Sequence, residues 1–84
     1  MNLQDILYKV SIDKVVGSTD IEISNIAFDS RKVNVNGLFV AINGTISDGH
    51  QFIDSAIEKG AIAIIVEQIP ANINEDITYI KVEN

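Results

Sequence analysis

An α/β fold, with a small mixed sheet containing a parallel βαβ unit and flanking helices, is what this sequence predicts. Three observations carry that expectation. Leu38 to Ile42 is an apolar run of strand length; a helical pattern from about 50 to 59 puts Phe52, Ile53, Ala56 and Ile57 on one face; and Ala61 to Val66 is a second, nearly unbroken apolar run. Strand, loop, helix, strand in this order makes a βαβ unit, so the strands 38–42 and 62–66 are expected to lie parallel with a right-handed crossover.

The other elements follow in order. Leu3, Ile6, Leu7 and Val10 recur at helical spacing, with Asn2 and Asp5 placed as N-cap and N3 acid, which predicts a short amphipathic helix from about 3 to 10. Val15 and Val16 precede Gly17 and fit either a brief edge strand or a plain loop. From Ile21 to Phe28 the apolar positions are Ile21, Ile23, Ile26 and Phe28, so a period of two slips by one, and a bulge or break near Asn25 would reconcile the halves. Lys32 to Asn36 reads as a polar connector, and Asn36-Gly37 as a turn because both tolerate positive φ. Asp48 is placed to cap the second helix with Gln51 at N3, and Gly60 to stop it. Pro70 and Asn72 to Asp76 mark a loop. Thr78, Ile80 and Val82 alternate with Tyr79 and Lys81, predicting a last strand with one wetter face and Tyr79 covering the sheet.

Composition bounds the function. Eighty-four residues suffice for one domain with a modest core, and the chain stops two residues after an alternating apolar segment, which suggests a piece of a longer protein. Twelve acidic against six basic residues give a net charge of -6, without the basic footprint that a backbone-driven nucleic-acid binder needs. An anionic small ligand held by backbone N–H groups, hydroxyls and one arginine stays compatible. The chain has no cysteine, which removes disulfides, thiolate nucleophiles and thiolate-rich metal sites and is compatible with a cytoplasmic setting. No apolar run reaches the roughly 18 residues of a membrane span.

Two strand-end loops concentrate polar chemistry. After Phe28 come Asp29, Ser30 and Arg31: the aspartate can brace the arginine or cap a turn, the serine presents a hydroxyl and an N–H, and the arginine could reach a phosphate or close a loop salt bridge. After Ile42 come Gly44, Thr45, Ile46, Ser47, Asp48 and Gly49, where glycines allow close backbone approach and hydroxyls can face a base, ribose or sugar. Neither GxxxxGK followed by Ser or Thr nor GxGxxG occurs, so this is not a phosphate loop, and an ordinary capped loop remains the alternative. His50 is the sole histidine, which leaves no zinc cluster and no catalytic triad. Glu22, Asp54 and Glu58 read as solvent-facing acids, not as an acid and base pair.

The pattern IAFDSRKVNVNGLFVAINGTISDGHQFIDSAIEKGAIAIIVE resembles the Mur ligases, ATP-dependent amide ligases that build the peptide of the bacterial cell-wall precursor. Asp29-Ser30-Arg31, Gly37-Leu38-Phe39-Val40-Ala41, Gly44, Asp48-Gly49 and Gly60-Ala61 carry the resemblance, which is greatest to the UDP-N-acetylmuramoyl-tripeptide synthetase branch. It implies a single N-terminal, UDP-binding domain over 1–84, with a Mur ligase N-terminal domain-like fold, belonging to a three-domain ligase that adds meso-diaminopimelate or L-lysine to UDP-N-acetylmuramoyl-L-alanyl-D-glutamate. It also implies that Ser30, Thr45, Ile46 and Ser47 bind the UDP moiety, with Asp29, Arg31, Gly44, Asp48 and Gly49 in support. Some relatives carry His-Gln-Ala where this chain has Thr45-Ile46-Ser47, which puts the side-chain contacts of that loop in doubt. No catalytic residue, metal ligand or cofactor is expected within these residues. ATP and Mg2+ belong to the full-length parent, whose central and C-terminal domains are the expected partners together with the UDP-N-acetylmuramoyl peptide; neither nucleic acid nor membrane is expected. An isolated piece should form no amide bond and bind UDP with a dissociation constant on the order of a millimolar or weaker.

The ligase that adds the D-alanyl-D-alanine dipeptide and a stand-alone nucleotide-sugar binding module are the alternatives. One geometric tension accompanies the resemblance. Asp29 to Gly37 spans nine residues, fewer than a helical crossover between parallel strands usually takes. A hairpin there would put Ser30 and Thr45 at opposite ends of the sheet.

Overall fold

The computed structural model describes residues 1–41 and 52–82, and its elements are α1 (Leu3–Ile6), β1 (Ile12–Val16), β2 (Ile26–Ala27), a 3-10 turn (Ser30–Lys32), β3 (Gly37–Ala41), α2 (Ile53–Lys59), β4 (Ala61–Val66) and β5 (Thr78–Val82). The strands form one mixed sheet in the order β1-β5-β4-β3-β2. β2, β3, β4 and β5 run parallel to their neighbours and β1 pairs antiparallel with β5.

Alternation along the strands splits the core between two faces. Phe39, Ala41, Ile64, Val66 and Tyr79 meet Ile53 and Ala56 of α2 on one face. Leu38, Ala63 and Ile80 meet Leu3, Leu7 and Ile23 on the other. Neighbouring positions within β3, β4 and β5 are buried on opposite faces, which explains why the Leu38–Ile42 and Ala61–Val66 runs lack a polar phase. β5 departs from its expected wet face for this reason: it lies between β1 and β4, and Thr78, Tyr79 and Ile80 are all buried.

The N-terminal helix is one turn instead of two. Asn2 caps it, its side-chain oxygen accepting the Gln4 N–H at 2.9 Å, but the chain leaves the helix at Leu7. Tyr8 and Val10, beyond the end, are exposed. The second helix likewise starts at Ile53 and not near 50, with Phe52 at its N-cap making no side-chain cap bond; Asp48 and Gln51 lie outside the described residues. Val15 and Val16 belong to a full five-residue edge strand, β1.

The slip in periodicity at Asn25 is a change of partner, not a bulge. Before it, Met1 and Ile23 exchange backbone hydrogen bonds and Asn2 bridges Glu22 antiparallel. After it, the Asn25 carbonyl accepts the Leu38 N–H and Ile26–Ala27 pairs parallel with Leu38–Phe39. A strand that switches from one neighbour to another rotates at the switch, so its apolar side chains lose phase there.

Parallel pairing of β2 with β3 removes the hairpin possibility, and the shortness of β2 explains how nine residues suffice. With two residues in the strand, the chain has only roughly 7 Å of sheet to climb back along. Asn25 holds the return in place: its amide donates to Lys32 O at 3.1 Å and its side-chain oxygen accepts the Asn34 N–H at 3.2 Å. Asn36 then turns the chain with φ 64°, and its N–H donates to Gly60 O at 2.8 Å. Gly60 ends α2 in the left-handed region at φ 117°, where an added Cβ would stand 2.7 Å from Val35 Cα.

Two substitutions test this corner. Gly60→Ala forces a side chain into the left-handed region and against the Val35 backbone, and should lower unfolding stability by about 1–3 kcal/mol. Asn25→Ala removes both clamp hydrogen bonds from a half-buried position and should cost about 1–3 kcal/mol. Urea denaturation measures both; a change in midpoint below the experimental scatter for either variant would show that the crossover is held by something else.

Candidate functional site

Because β2, β3 and β4 are mutually parallel, the residues after Ala27, Ala41 and Val66 all leave the sheet at one edge. Asp29, Ser30 and Arg31 therefore sit at the same end of the sheet as Ala41, the last described residue before the loop that holds Gly44, Thr45, Ile46, Ser47, Asp48 and Gly49. Those six residues, and His50, lie outside the described residues.

The Asp29-Ser30-Arg31 segment is a self-closed turn. One Asp29 carboxylate oxygen accepts the Arg31 backbone N–H at 2.9 Å and the Arg31 Nε at 3.1 Å, while the other accepts an Arg31 terminal guanidinium nitrogen at 2.8 Å. This is the fork geometry in which a planar guanidinium matches a carboxylate. The Arg31 side chain nonetheless remains 83% exposed, so its outer edge faces solvent. Arg31 thus serves first as the brace of the turn.

Ser30 differs from both neighbours in being buried, in a 3-10 turn that packs against α2. Phe28, directly before the turn, is 74% exposed, an unusual place for a large apolar side chain at the mouth of a strand-end site. Reading the sequence for polar chemistry missed it. The available signal was its position as the final apolar residue before Asp29, one step beyond the end of β2.

A cavity of about 250 Å3 lies elsewhere, lined by Ile53, Asp54, Pro70, Ala71, Asn72 and Tyr79. Neither Phe28 nor any residue of the Asp29-Ser30-Arg31 turn lines this cavity. Among the described residues no group of three His, Cys, Asp or Glu side chains is gathered for a metal ion. The sequence contains neither GxxxxGK followed by Ser or Thr nor GxGxxG. Glu22 pairs with the N-terminal ammonium at 3.3 Å, and Asp54, Ser55 and Glu58 are exposed on α2. No helix among the described residues is long and apolar enough to cross a membrane.

Hydrogen bonds from the Arg31 side chain, and then from its N–H, hold the Asp29 carboxyl at about 2, against an ordinary 3.8. A depressed carboxylate stabilises the folded turn fully above its ordinary value and loses that contribution as pH falls through about 2. An NMR titration of the Asp29 carboxyl should give a midpoint near 2, and Arg31→Ala should return it toward the ordinary carboxylate range. A wild-type midpoint already at the ordinary value would mean that the ion pair is open in solution.

Residues 22–84 match the profile described as "Mur ligase family, catalytic domain". The UDP-N-acetylmuramoyl-L-alanyl-D-glutamate--2,6-diaminopimelate ligase of Bacteroides fragilis is 46% identical over 82 residues, covering 98% of this chain and 17% of that protein. The ligase of the same description from Clostridium tetani is 45% identical over 86 residues, covering 100% of this chain and 18% of that protein. Among solved structures, the MurF ligase of Thermotoga maritima in complex with ADP aligns with a TM-score of 0.61 at 37% identity, over 71% of this chain and 13% of that one. The D-alanyl-D-alanyl ligase of Acinetobacter baumannii aligns with a TM-score of 0.63 at 29% identity, over 74% of this chain and 13% of that one. The chain therefore spans less than a fifth of the length of these relatives.

The profile match corrects one expectation. It is to the catalytic domain of the family, which overturns the placement of this chain as an N-terminal UDP-binding domain and the N-terminal domain-like label on its fold. That placement rested on the resemblance of Asp29-Ser30-Arg31, Gly37 to Ala41, Gly44, Asp48-Gly49 and Gly60-Ala61 to the family. A strand-loop-helix-strand unit with polar strand-end loops is shared by many α/β domains, so it does not discriminate between domains of one enzyme. What the match over three-quarters of its residues does establish is that the chain belongs to the Mur ligase family.

Proposed function

We propose that this chain is part of an ATP-dependent amide ligase that joins 2,6-diaminopimelate, as the third peptide residue, to UDP-N-acetylmuramoyl-L-alanyl-D-glutamate in cell-wall precursor synthesis. The observation that carries this reading is the 44–46% identity, over essentially the whole chain, to ligases of that description from several bacteria. The D-alanyl-D-alanine-adding alternative has weaker support, since its structural relatives are 29–37% identical over about three-quarters of the chain. A stand-alone binding module is disfavoured by relatives that are described as ligases. The reading carries with it a cytoplasmic setting, where nucleotide-linked precursors are made, and a requirement for ATP and Mg2+.

Within that enzyme, the role proposed for the Asp29-Ser30-Arg31 turn is to hold the UDP-linked substrate. Three features favour it: the turn stands at the carboxyl edge of a parallel sheet, the usual place for a ligand in such folds; its serine is packed in a turn against α2; and Phe28 and the outer edge of Arg31 present an apolar ring and guanidinium donors beside it. Thr45, Ile46 and Ser47 join this role on their sequence positions alone, and Gly44, Asp48 and Gly49 as their framework.

In the full-length ligase, Ser30→Ala should raise KM for the UDP-linked substrate about 2- to 10-fold through loss of one hydrogen bond, with KM for ATP unchanged. Thermal denaturation run alongside separates substrate contact from folding. Equal increases in both KM values, or a lowered melting temperature with both KM values intact, would assign Ser30 to the scaffold.

A further inference from the structure

The Asn36-Gly37 pair closes the crossover between β2 and β3, and the ligase reading makes no use of its chemistry. An asparagine followed by glycine is prone to cyclise: the Gly37 main-chain nitrogen bonds to the Asn36 side-chain Cγ, and the Cγ–Nδ2 bond breaks. Ammonia leaves with the proton that the Gly37 nitrogen gives up. Water then opens the succinimide at either carbonyl, leaving an aspartyl or an isoaspartyl linkage at position 36. Glycine favours ring closure because no side chain obstructs its nitrogen.

In this fold the attacking nitrogen and its neighbours are committed elsewhere. The Gly37 N–H donates to Asn34 O at 2.9 Å, the Asn36 N–H donates to Gly60 O at 2.8 Å, and the Asn36 carbonyl accepts the Ser24 N–H at 2.9 Å. Gly37 is buried, although Asn36 itself is exposed to water. Space is also lacking. A Cβ placed on Gly37 would stand 2.5 Å from the Asn25 side-chain oxygen and 2.8 Å from Asn34 O.

We propose that the three hydrogen bonds around Asn36-Gly37, backed by the Asn25 clamp, keep this pair from forming a succinimide, and that opening this corner exposes a spontaneous modification site that prevents β3 from closing again. The last step follows from the longer main chain at position 36. An isoaspartyl linkage inserts one more main-chain carbon between Asn36 Cα and the Gly37 nitrogen, within the stretch held by the Asn36 N–H to Gly60 O and Gly37 N–H to Asn34 O bonds, and it displaces the residues that register Leu38 against Asn25. The modification therefore acts as a one-way exit from the folded state, entered only through local opening.

Incubating the chain at mildly alkaline pH, folded in buffer or unfolded in urea, and sequencing the Val33–Lys59 tryptic peptide by mass spectrometry reads the deamidated fraction at Asn36. The Asn36 rate in the folded chain should be at least about tenfold below that in urea, which corresponds to an opening free energy of about 1.4 kcal/mol or more. Asn43-Gly44 on the same peptide gives a reference rate for the unfolded chain. Hydrogen exchange at the Gly37 amide should be slowed alongside, and Asn25→Ala, where circular dichroism shows it folded, should speed the reaction at Asn36. Equal rates in buffer and urea overturn the proposal. So does a folded Asn25→Ala variant that reacts at the wild-type rate, or a modified chain that regains native hydrogen exchange at Leu38.

Discussion

The hydrogen bonds of Asn25 to the Lys32 carbonyl and the Asn34 N–H are the constraint on which the rest of this architecture hangs. A parallel connection between adjacent strands normally spends a helix on the return, and here it spends a 3-10 turn and an extended stretch. That is possible because β2 is short, and because one side chain substitutes for the backbone pairing that a helix would have provided within the link. The clamp fastens the nine-residue connection along its length, and the parallel pairing of Ile26–Ala27 with Leu38–Phe39 keeps the polar turn after β2 at the same end of the sheet as Ala41.

Gly60 ties this corner to the βαβ unit. As the left-handed stop of α2 it lets the helix end against Val35, and its carbonyl accepts the Asn36 N–H, so one residue terminates a helix and anchors the preceding crossover. The candidate site is thereby supported from two directions. Ser30 rests on α2, and the route from Ser30 back to β3 is fastened to the end of that same helix. Binding residues placed on short, braced turns lose little conformational freedom when a ligand arrives, and the Asp29-Arg31 pair extends that bracing to the turn itself.

Much of the sheet was legible from residue pattern. The two apolar runs, the intervening amphipathic helix and its glycine stop announced a parallel pair because strand and helix periodicities differ and because burial on both faces removes alternation. Other features were hidden for identifiable reasons. The helix at the N-terminus keeps its periodicity to Val10 in sequence, yet Leu7 already leaves the helix and Val10 is exposed. The broken period at Asn25 looked like a bulge because periodicity records side-chain phase, not pairing partner. Polar residues drew attention to Asp29, Ser30 and Arg31 and away from Phe28, whose significance lies in its exposure. The domain assignment erred differently: strand-end loops of this composition occur across α/β enzymes, so resemblance in them named the family correctly and the domain incorrectly.

The amino-acid sequence alone determined the α/β class, the parallel βαβ unit, the turn at Asn36-Gly37 and the acidic, cysteine-free character of the chain, since each depends on local pattern or composition. Tertiary structure decided that β5 lies inside the sheet with both faces covered, that β2 is parallel to β3, and that Ser30 is buried while Arg31 turns back onto Asp29. These depend on which distant segments meet: Thr78 to Ile80 between β1 and β4, Asn25 across the crossover, Ser30 on α2. Local pattern contains no term for such contacts, because the same alternation suits an edge or a central strand and the same nine residues suit a hairpin or a crossover until the pairing of β2 with β3 distinguishes them.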